Sequence, residues 1–201
     1  MDAHGSTRPV ALVTGASSGI GAAFAERLAS TGHDLVLVAR RRERLEELAR
    51  RLGEQSGANA RVCIADLSEP DGVRAVEEAI AREPELELVV NNAGFSGYMP
   101  FVELPPGDID RLAQIHCIGT ARLTRAALPR MIDRGRGGIV NIASLLAFSR
   151  SLPPDPMPYR AVYAACKAFL VTFTLTLSHE LVGTGVRAMV CCPGIVESEF
   201  H

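Results

Sequence analysis

The fold of this chain is decided by the run Val10-Ala11-Leu12-Val13-Thr14-Gly15-Ala16-Ser17-Ser18-Gly19-Ile20-Gly21. Apolar residues of strand type lead into a glycine-rich turn, and Phe24 and Leu28 then follow at the spacing of one helix face. Gly32 marks the predicted end of that helix. Glycines let the backbone approach a pyrophosphate, and the free amides of a helix N-terminus donate to it. The run therefore favours a nucleotide-binding strand, turn and helix over a plain glycine-rich turn.

Further apolar runs of strand length follow. With the first run they lie at residues 10–14, 35–39, 62–65, 86–91, 139–143 and 186–192. The helical stretches between them carry apolar stripes at Leu45, Leu48 and Leu52 and at Val73, Val76 and Ile80. We expect Glu47 to pair with Arg51, and Ser68 to cap the second of these helices. Because the strands are continuously apolar, the sequence predicts a doubly wound parallel sheet of Rossmann type with helices on both faces, an α/β fold.

Two longer helices are predicted in the second half of the chain. One begins at about Asp108 and ends before Pro129, and the other spans about residues 162–181. The second helix is apolar nearly all round at residues 169–177, so both of its faces need cover. Either a second subunit provides that cover, or the helix is fully buried inside the chain.

Composition limits the number of domains and the classes of function that we expect. The 201 residues are 47% hydrophobic, which predicts one domain over residues 1–201, with residues 1–8 flexible. A net charge of −2 with scattered basic residues argues against nucleic-acid binding. No signal peptide or membrane span is evident, so we expect a soluble cytoplasmic protein. Five cysteines without a C-x-x-C pair argue against a metal site or a disulfide framework.

The segment Tyr163-Ala164-Ala165-Cys166-Lys167 carries the chemistry. Tyr163 and Lys167 are four residues apart, so on a helix they project from one face. An ammonium beside a phenol favours the phenolate and lowers the phenol pKa towards the range of general acid/base catalysis. The spacing alone is common by chance, and the glycine-rich turn upstream is what favours a catalytic pair.

The motifs Thr14-Gly15-x-x-x-Gly19-x-Gly21, Asn91-Asn92-Ala93-Gly94, Ser144, Tyr163-x-x-x-Lys167 and Pro193-Gly194 occur in this order. In order and approximate spacing, residues 9–200 resemble the short-chain dehydrogenase/reductase family. The resemblance implies an oxidoreductase that moves a hydride between a nicotinamide cofactor and a carbonyl or alcohol. It also implies a homodimer or homotetramer built on the two long helices, and a substrate lid and last strand beyond His201.

The cofactor choice is read after the second strand. Enzymes that use NAD place an acid there to bind the ribose hydroxyl, whereas this chain has Ala39-Arg40-Arg41-Arg42. Cations at a helix N-terminus oppose its dipole, so an anion among them is expected, and a 2′-phosphate fits. We expect NADP(H) rather than NAD(H), with Arg40 as the best contact and Arg41 next. The alternative is a solvated basic cluster satisfied by Glu43 and Glu46.

The resemblance assigns the other cofactor contacts. Asp66, followed by Leu67, matches the acid that contacts adenine, although it could instead be a loop or cap residue. Asn92, Ala93 and Gly94 steady the sheet and line the groove. The full expected set is Gly15, Ser17, Ser18, Gly19, Ile20, Gly21, Arg40, Arg41, Asp66, Leu67, Asn92, Ala93, Gly94, Tyr163, Lys167, Pro193, Gly194 and Val196.

In the same family pattern, Tyr163 is the acid/base, Ser144 orients the substrate oxygen, and Lys167 lowers the phenol pKa and holds the nicotinamide ribose. One position departs from the pattern. His116 stands where the family has an asparagine that helps to hold a water in the proton relay. An imidazole can also relay protons. The swap leaves two alternatives open: a proton relay through His116, or a weakened or non-catalytic member of the fold.

A second departure lies between Ser144 and Tyr163, which are further apart than is usual in the family. The excess, residues 151–159, holds four prolines and predicts a stiff loop that shapes the substrate pocket. It also brings a second tyrosine, Tyr159, which we expect outside the helix.

The apolar residues near the site are Leu145, Leu146, Phe148 and Met157. They favour a small to medium hydrophobic carbonyl or alcohol substrate. The sequence therefore predicts an NADP-dependent oxidoreductase without a metal. The alternatives are a non-catalytic NADP-binding protein for redox sensing or scaffolding, and an epimerase or dehydratase, which the glycine spacing and the short chain disfavour.

Overall fold

A computed structural model describes residues 8–151 and 159–196 of the chain. Its centre is a parallel sheet of six strands in the order β3-β2-β1-β4-β5-β6. The strands are β1 Val10–Thr14, β2 Asp34–Ala39, β3 Ala60–Ile64, β4 Leu86–Asn91, β5 Gly137–Ile142 and β6 Val186–Cys191. The predicted parallel sheet is therefore confirmed, with strand ends within two residues of those expected.

Helices connect the strands. They are α1 Gly19–Ser30, α2 Arg42–Ser56, α3 Pro70–Ala81, α4 Pro106–Ala113, α5 Thr120–Asp133 and α6 Ala161–Glu180. Short 3₁₀ turns occupy Phe101–Glu103 and Leu145–Ser151, and a π-helical turn at Gln114–Gly119 joins α4 to α5.

Two apolar layers bury the sheet. Leu12 and Val36 face a cluster formed with α3, α5 and α6, whereas Val13 and Leu35 face α1 and α2. Each leucine or valine side chain that is fully buried in this way contributes about 1.5–3 kcal/mol. Helices on both faces confirm the doubly wound fold.

The chain reverses its direction of growth between β1 and β4. After β1 it adds β2 and β3 on one side, and it then returns to add β4, β5 and β6 on the other side. In such open sheets, ligands bind at the carboxyl ends of the strands where the order reverses. The fold thus places a crevice beside the glycine-rich turn.

Several local expectations were wrong. Pro129 lies inside α5, which continues to Asp133, because the buried Ala127 and Met131 hold that turn against the core. Helix α3 begins at Pro70 with Glu69, not Ser68, in the N-cap position. On α2 the ion pairs also differ.

Glu47 pairs with Arg50 at 2.8 Å, and Arg51 reaches across to Glu26 at 3.1 Å. An i,i+3 partner on the same helix and a partner on α1 have taken the place of the expected pair between Glu47 and Arg51.

Helix α6 has one buried and one open face. Leu170, Thr174 and Leu177 face the core, whereas Phe169 is 40% and Leu175 is 53% exposed. The alternative that the chain buries this helix fully is therefore wrong. By length and composition α6 could span a membrane, with 20 residues and a mean hydropathy of 1.5, but it packs against β6 and carries buried polar groups.

Candidate active site

The carboxyl ends of the strands enclose a cavity of about 770 Å³. Nearly all residues that the sequence predicted for the site line it. These are Gly15, Ser17, Ser18, Gly19, Ile20, Arg40, Arg41, Asp66, Leu67, Asn92, Ala93, Gly94, Ser144, Tyr163, Lys167, Pro193, Gly194 and Val196. Gly21 and His116 are not part of the lining.

Gly21 lies in the first turn of α1 and allows this helix to pack closely against the glycine-rich turn. A Cβ atom at this position would lie 2.3 Å from the backbone oxygen of Gly15, so only glycine allows α1 to start this close to β1. Gly15 itself has a φ of 67°, in the left-handed region. The turn can therefore bring its backbone amides to the cavity, as a pyrophosphate site requires.

Thr14 and Asn92 lock the turn to the end of β4. The hydroxyl of Thr14 accepts hydrogen bonds from the backbone amides of Asn92 and Ala93, at 2.9 and 3.0 Å. In return, the side-chain amide of Asn92 donates to the backbone oxygen of Thr14 at 3.0 Å. Asn92 thus has the structural role expected for its motif, at the edge of the cavity.

The two arginines after β2 have different partners. Arg41 donates to the hydroxyls of Ser17 and Ser18 at 2.9 Å, so its guanidinium lies on the glycine-rich turn. Arg40 is 65% exposed and lies 3.5 Å from a carboxylate oxygen of Asp66. The sequence favoured Arg40 as the main contact, but the structure places Arg41 closer to the turn.

Asp66 is ionised and held in place. Its carboxylate accepts from the backbone amide of Ser68 at 3.0 Å and from the Ser68 hydroxyl at 2.7 Å. Burial opposes the charged form, but the hydrogen bonds from Ser68 and the charge of Arg40 together hold the pKa of Asp66 below its usual value. Asp66 therefore presents a carboxylate to the cavity rim.

Tyr163 and Ser144 meet on the other side of the cavity. Tyr163 is 6% exposed, packs against Leu104 and Leu112, and shares a hydrogen bond with the hydroxyl of Ser144. The Ser144 hydroxyl also accepts from the backbone amide of Leu146 at 3.2 Å. Both hydroxyls line the cavity, where one oxygen atom of a ligand could contact both of them.

Lys167 lies beneath Tyr163. Its ammonium donates to the backbone oxygen of Ile142 at 2.7 Å and lies 5.5 Å from the centroid of the Tyr163 ring. Burial lowers the pKa of Lys167 to about 8. It is also the only lysine among the 21 lysines and arginines of this sequence.

The pKa of Tyr163 corrects a prediction from the sequence. Burial raises the phenol pKa, while the hydrogen bond of Ser144 and the charge of Arg160 act in the opposite direction. The sequence predicted a pKa lowered by Lys167. The ammonium instead bonds to Ile142, and desolvation of the phenol outweighs the nearby charges.

His116 is buried behind Tyr163 and 1% exposed. Its Nε2 lies 2.9 Å from the backbone oxygen of Phe95, which assigns the proton to Nε2. The ring meets that of Tyr163 edge-on, with centroids 5.4 Å apart. Burial, followed by the charge of Lys167, lowers the pKa of His116 to about 3.

His116 is therefore neutral at physiological pH, and its Nδ1 is an acceptor with no hydrogen-bond partner among the described residues. The π-helical turn presents the ring, and Gly94 makes room for it: a Cβ at Gly94 would lie 2.2 Å from Cε1 of His116. A relay that needs a charged imidazole is incompatible with this environment, whereas a neutral acceptor is compatible.

Tertiary contacts bring together residues that were not among those predicted for the site. The thiols of Cys117 and Cys166 form a hydrogen bond beside Lys167, which raises the pKa of Cys117 and lowers that of Cys166. Arg160 lines the same cavity as Ser144, Tyr163 and Lys167. The cysteines are far apart in sequence, so no spacing could have predicted their contact.

The predicted substrate residues divide into three groups. Leu145 and Leu146 line the cavity, whereas Phe148 is 47% exposed and outside the lining. Met157 and the rest of the segment 152–158 lie outside the described residues. Tyr159 precedes α6, as expected, with a φ of 69° and an exposed side chain.

Comparison with known proteins agrees with this geometry. The family model described as short chain dehydrogenase matches residues 9–201. Sulfoacetaldehyde reductase 2 of Chromohalobacter salexigens is 39% identical in an alignment 202 residues long. The alignment covers 95% of this chain and 74% of that protein. A short chain dehydrogenase of Pseudocercospora fijiensis is 35% identical over 194 residues; the match covers 94% of this chain but only 60% of that relative's length.

Among solved structures, a short-chain dehydrogenase from Sphingobium yanoikuyae in complex with NADPH is similar, with a TM-score of 0.89 at 38% identity. The match covers 96% of this chain and 73% of that one. Sequence, fold and the arrangement of Ser144, Tyr163 and Lys167 agree, and the chain therefore belongs to the short-chain dehydrogenase/reductase family of oxidoreductases.

Proposed function

We propose that this protein is an NADP(H)-dependent reductase that transfers a hydride between the nicotinamide and a carbonyl or alcohol carbon. The observation that carries the proposal is the hydrogen-bonded pair of Ser144 and Tyr163, which faces the cavity with Lys167 behind it. The same cavity begins at the glycine-rich turn, so cofactor and substrate sites are continuous.

The residues fit a phosphorylated dinucleotide. Gly21 leaves room for the backbone to approach a pyrophosphate. Arg41, Ser17 and Ser18 form a cluster of donors beside the turn, and Arg40 stands exposed next to it. A 2′-phosphate would be held there by charge-assisted hydrogen bonds. The expected alternative, in which acids of α2 neutralise the cluster, applies to Arg42, which pairs with Glu46 at 3.4 Å.

The bound nicotinamide supplies the hydride, and the chain supplies position and protons. In the proposed reduction, the Ser144 hydroxyl donates to the substrate oxygen and orients it. Tyr163 then gives its phenolic proton to that oxygen. Because burial raises the pKa of Tyr163, its phenol is protonated at neutral pH, which is the form that reduction needs.

The acid/base role is tested with Tyr163→Phe. We expect it to abolish NADPH oxidation with a carbonyl panel and to leave NADPH binding unchanged, as measured by fluorescence titration. Tyr159→Phe is the matched control: Tyr159 lies outside α6, so this variant should alter KM more than kcat. Turnover that survives Tyr163→Phe but is lost in Tyr159→Phe would contradict the assignment.

Cofactor preference is tested by titrating NADPH and NADH. The wild type should bind NADPH at least about 10-fold more tightly, the worth of one charge-assisted hydrogen bond. Arg41→Ser and Arg40→Asp should each remove most of this preference. Arg42→Ser, outside the cavity, is the control. Equal binding of both cofactors by the wild type would refute the proposal that Arg40 and Arg41 bind a 2′-phosphate.

A non-catalytic role is the second candidate, and the neutral His116 with its unpartnered Nδ1 is the observation that favours it. His116→Asn restores the family's residue. If the wild type binds NADPH but reduces none of the panel, and His116→Asn gains turnover, the chain is a binding member of the fold. If the wild type is active, this candidate fails.

We also propose that the protein forms homo-oligomers. The open faces of α5 and α6 carry Ile132, Phe169 and Leu175, each 40% or more exposed, and the rings of Phe169 and Phe173 stack 5.6 Å apart. A second copy would cover this apolar area. Light scattering measures the state: Phe169→Glu should shift the protein to monomer, and a monomeric wild type would overturn the proposal.

A further inference from the structure

Arg160 occupies a distinctive place in the cavity. It immediately precedes α6, three residues before Tyr163, and lines the cavity together with Ser144 and Leu146. The other arginines of the described lining, Arg40 and Arg41, lie beside the glycine-rich turn. Arg160 is therefore the guanidinium on the substrate side.

The guanidinium of Arg160 has no acidic partner in the part of the chain that the structure describes. None of the ion pairs there includes it, and its Nε is buried without a hydrogen-bond partner. Arginines elsewhere on the protein meet carboxylates, as Arg51 meets Glu26 and Arg122 meets Glu77. A half-buried cation without a counter-ion lacks compensation for the hydration it has lost.

Its position adds a second cost. Arg160 is the N-cap residue of α6, where the helix dipole disfavours a positive charge, and the first turn of α6 contains no acidic residue. An anion at this place would be favoured by the guanidinium and by the helix terminus together. The substrate side of the cavity therefore has the electrostatics of an anion site.

Aromatic contacts hold the guanidinium in position. Its Cζ lies 4.7 Å from the centroid of the Tyr98 ring, and the ring of Tyr159 braces Tyr98 edge-on at 6.0 Å. The backbone amide of Met99 donates to the backbone oxygen of Tyr159 at 3.2 Å and joins the two segments. A guanidinium that lies over an aromatic ring still has N–H donors that it can offer to a ligand.

We propose that Arg160 binds an anionic group of the substrate, so that the preferred carbonyl compounds carry a carboxylate, sulfonate or phosphate besides the reacting carbonyl. Arg160 and Tyr163 are three residues apart and line the same cavity. One small molecule could therefore present an anionic group to Arg160 and its carbonyl to Tyr163. The apolar Leu145 and Leu146 contact the carbon chain between them. This assignment rests on the proposed reduction of a carbonyl substrate and adds its charge.

The test compares oxo acids of increasing chain length with their methyl esters, using NADPH oxidation by the purified protein. For the best chain length, the wild type should show a kcat/KM for the acid at least about 10-fold above that for the ester, as one charge-assisted hydrogen bond implies. Oxo sulfonates and phosphonates of the same length identify which anion fits best.

Variants locate the effect. Arg160→Gln keeps a planar polar group without charge, and it should bring the acid-to-ester ratio to about one, mainly through the KM of the acid. Arg160→Lys should restore part of the ratio. Arg27→Gln, which removes an equal charge from the exposed end of α1, should leave the ratio as in wild type. A wild-type ratio near one, or a ratio unchanged in Arg160→Gln, would overturn the proposal.

A measurement without turnover separates this inference from the proposed function. Saturated carboxylates and the matching amides are titrated against the NADPH complex by fluorescence. If no carbonyl compound is reduced but carboxylates bind and Arg160→Gln abolishes that binding, the reductase proposal fails and the anion site stands. If esters are reduced as fast as acids and amides bind as well as carboxylates, the anion site fails and the reductase stands.

Discussion

Replacing Lys167 by methionine tests the electrostatics of the site most directly. The side chain is 3% exposed, and burial lowers its pKa from 10.5 to about 8. A difference of one pKa unit between folded and unfolded states corresponds to about 1.4 kcal/mol. The fall of roughly 2.5 units therefore means that holding the ammonium inside costs the folded protein about 3 kcal/mol at pH 7.

The sign follows from proton binding. Between pH 8 and 10.5 the unfolded chain holds the lysine proton more tightly than the folded chain does, so the stability of the wild type rises with pH across this window. Lys167→Met has no such group. Its unfolding free energy relative to wild type should therefore fall by about 2.5 kcal/mol between pH 7 and pH 10. The lost hydrogen bond to Ile142 is the same at every pH and cancels from this difference.

Urea unfolding of the cofactor-free protein at several pH values gives the measurement. Since this sequence has a single lysine, ¹³C-lysine labelling also yields one Cε resonance, whose titration midpoint should lie near pH 8. Lys167→Arg is the contrasting control, because a guanidinium cannot lose its proton and should show no recovery of stability at high pH. A titration midpoint of Lys167 above pH 10 would show that its pKa is not lowered in the folded protein. So would a difference in unfolding free energy between wild type and Lys167→Met that does not change with pH.

Three other substitutions test the support of the site. Gly94→Ala should destabilise the protein by about 1–3 kcal/mol, because its Cβ would meet the buried ring of His116, and the double variant with His116→Ala should recover part of the loss in thermal unfolding. Thr14→Val leaves two backbone amides without their acceptor and should lower the melting temperature and weaken NADPH binding, whereas Thr14→Ser should retain both; an unchanged Thr14→Val would contradict the hydrogen-bond assignment. The folded pKa of His116 is about 3, below the unfolded value of 6.5, so wild-type stability should fall as pH drops from 6.5 towards 3. His116→Asn should weaken that acid sensitivity in urea unfolding, and an unchanged acid dependence would show that His116 is charged in the folded state.

The sequence predicted the sheet well because its strands are read from local composition. A run such as Leu86–Asn91 is mainly apolar, and Val89, Val90 and Asn91 are buried, so its place as an inner strand of a parallel sheet could be predicted from local composition. Helix boundaries were harder. The π-helical turn at Gln114–Gly119 and the continuation of α5 through Pro129 depend on packing against the core, and local propensity does not contain that information.

The site residues also divide into those that local sequence predicts and those that depend on packing. The glycine spacing and the Tyr163–Lys167 pair are local patterns, and the structure brings both to one cavity. The preference of Arg41 for the hydroxyls of Ser17 and Ser18 depends on how β2 and the glycine-rich turn lie side by side. The pKa of Tyr163 depends on burial, which a helical spacing does not report.

Burial of Tyr163 and Lys167 also bears on the direction of the proposed reaction. It disfavours the phenolate of Tyr163 and the ammonium of Lys167, so it acts against the ion pair between them. Reduction of a carbonyl begins from the phenol, which is the favoured form in this environment. Oxidation of an alcohol would begin from the phenolate and requires ionisation of a buried group first. On the proposed mechanism, the surroundings of Tyr163 therefore keep the phenol in the protonated form from which reduction begins, and the charge of Lys167 matters most after the proton has left, when it stabilises the phenolate that remains.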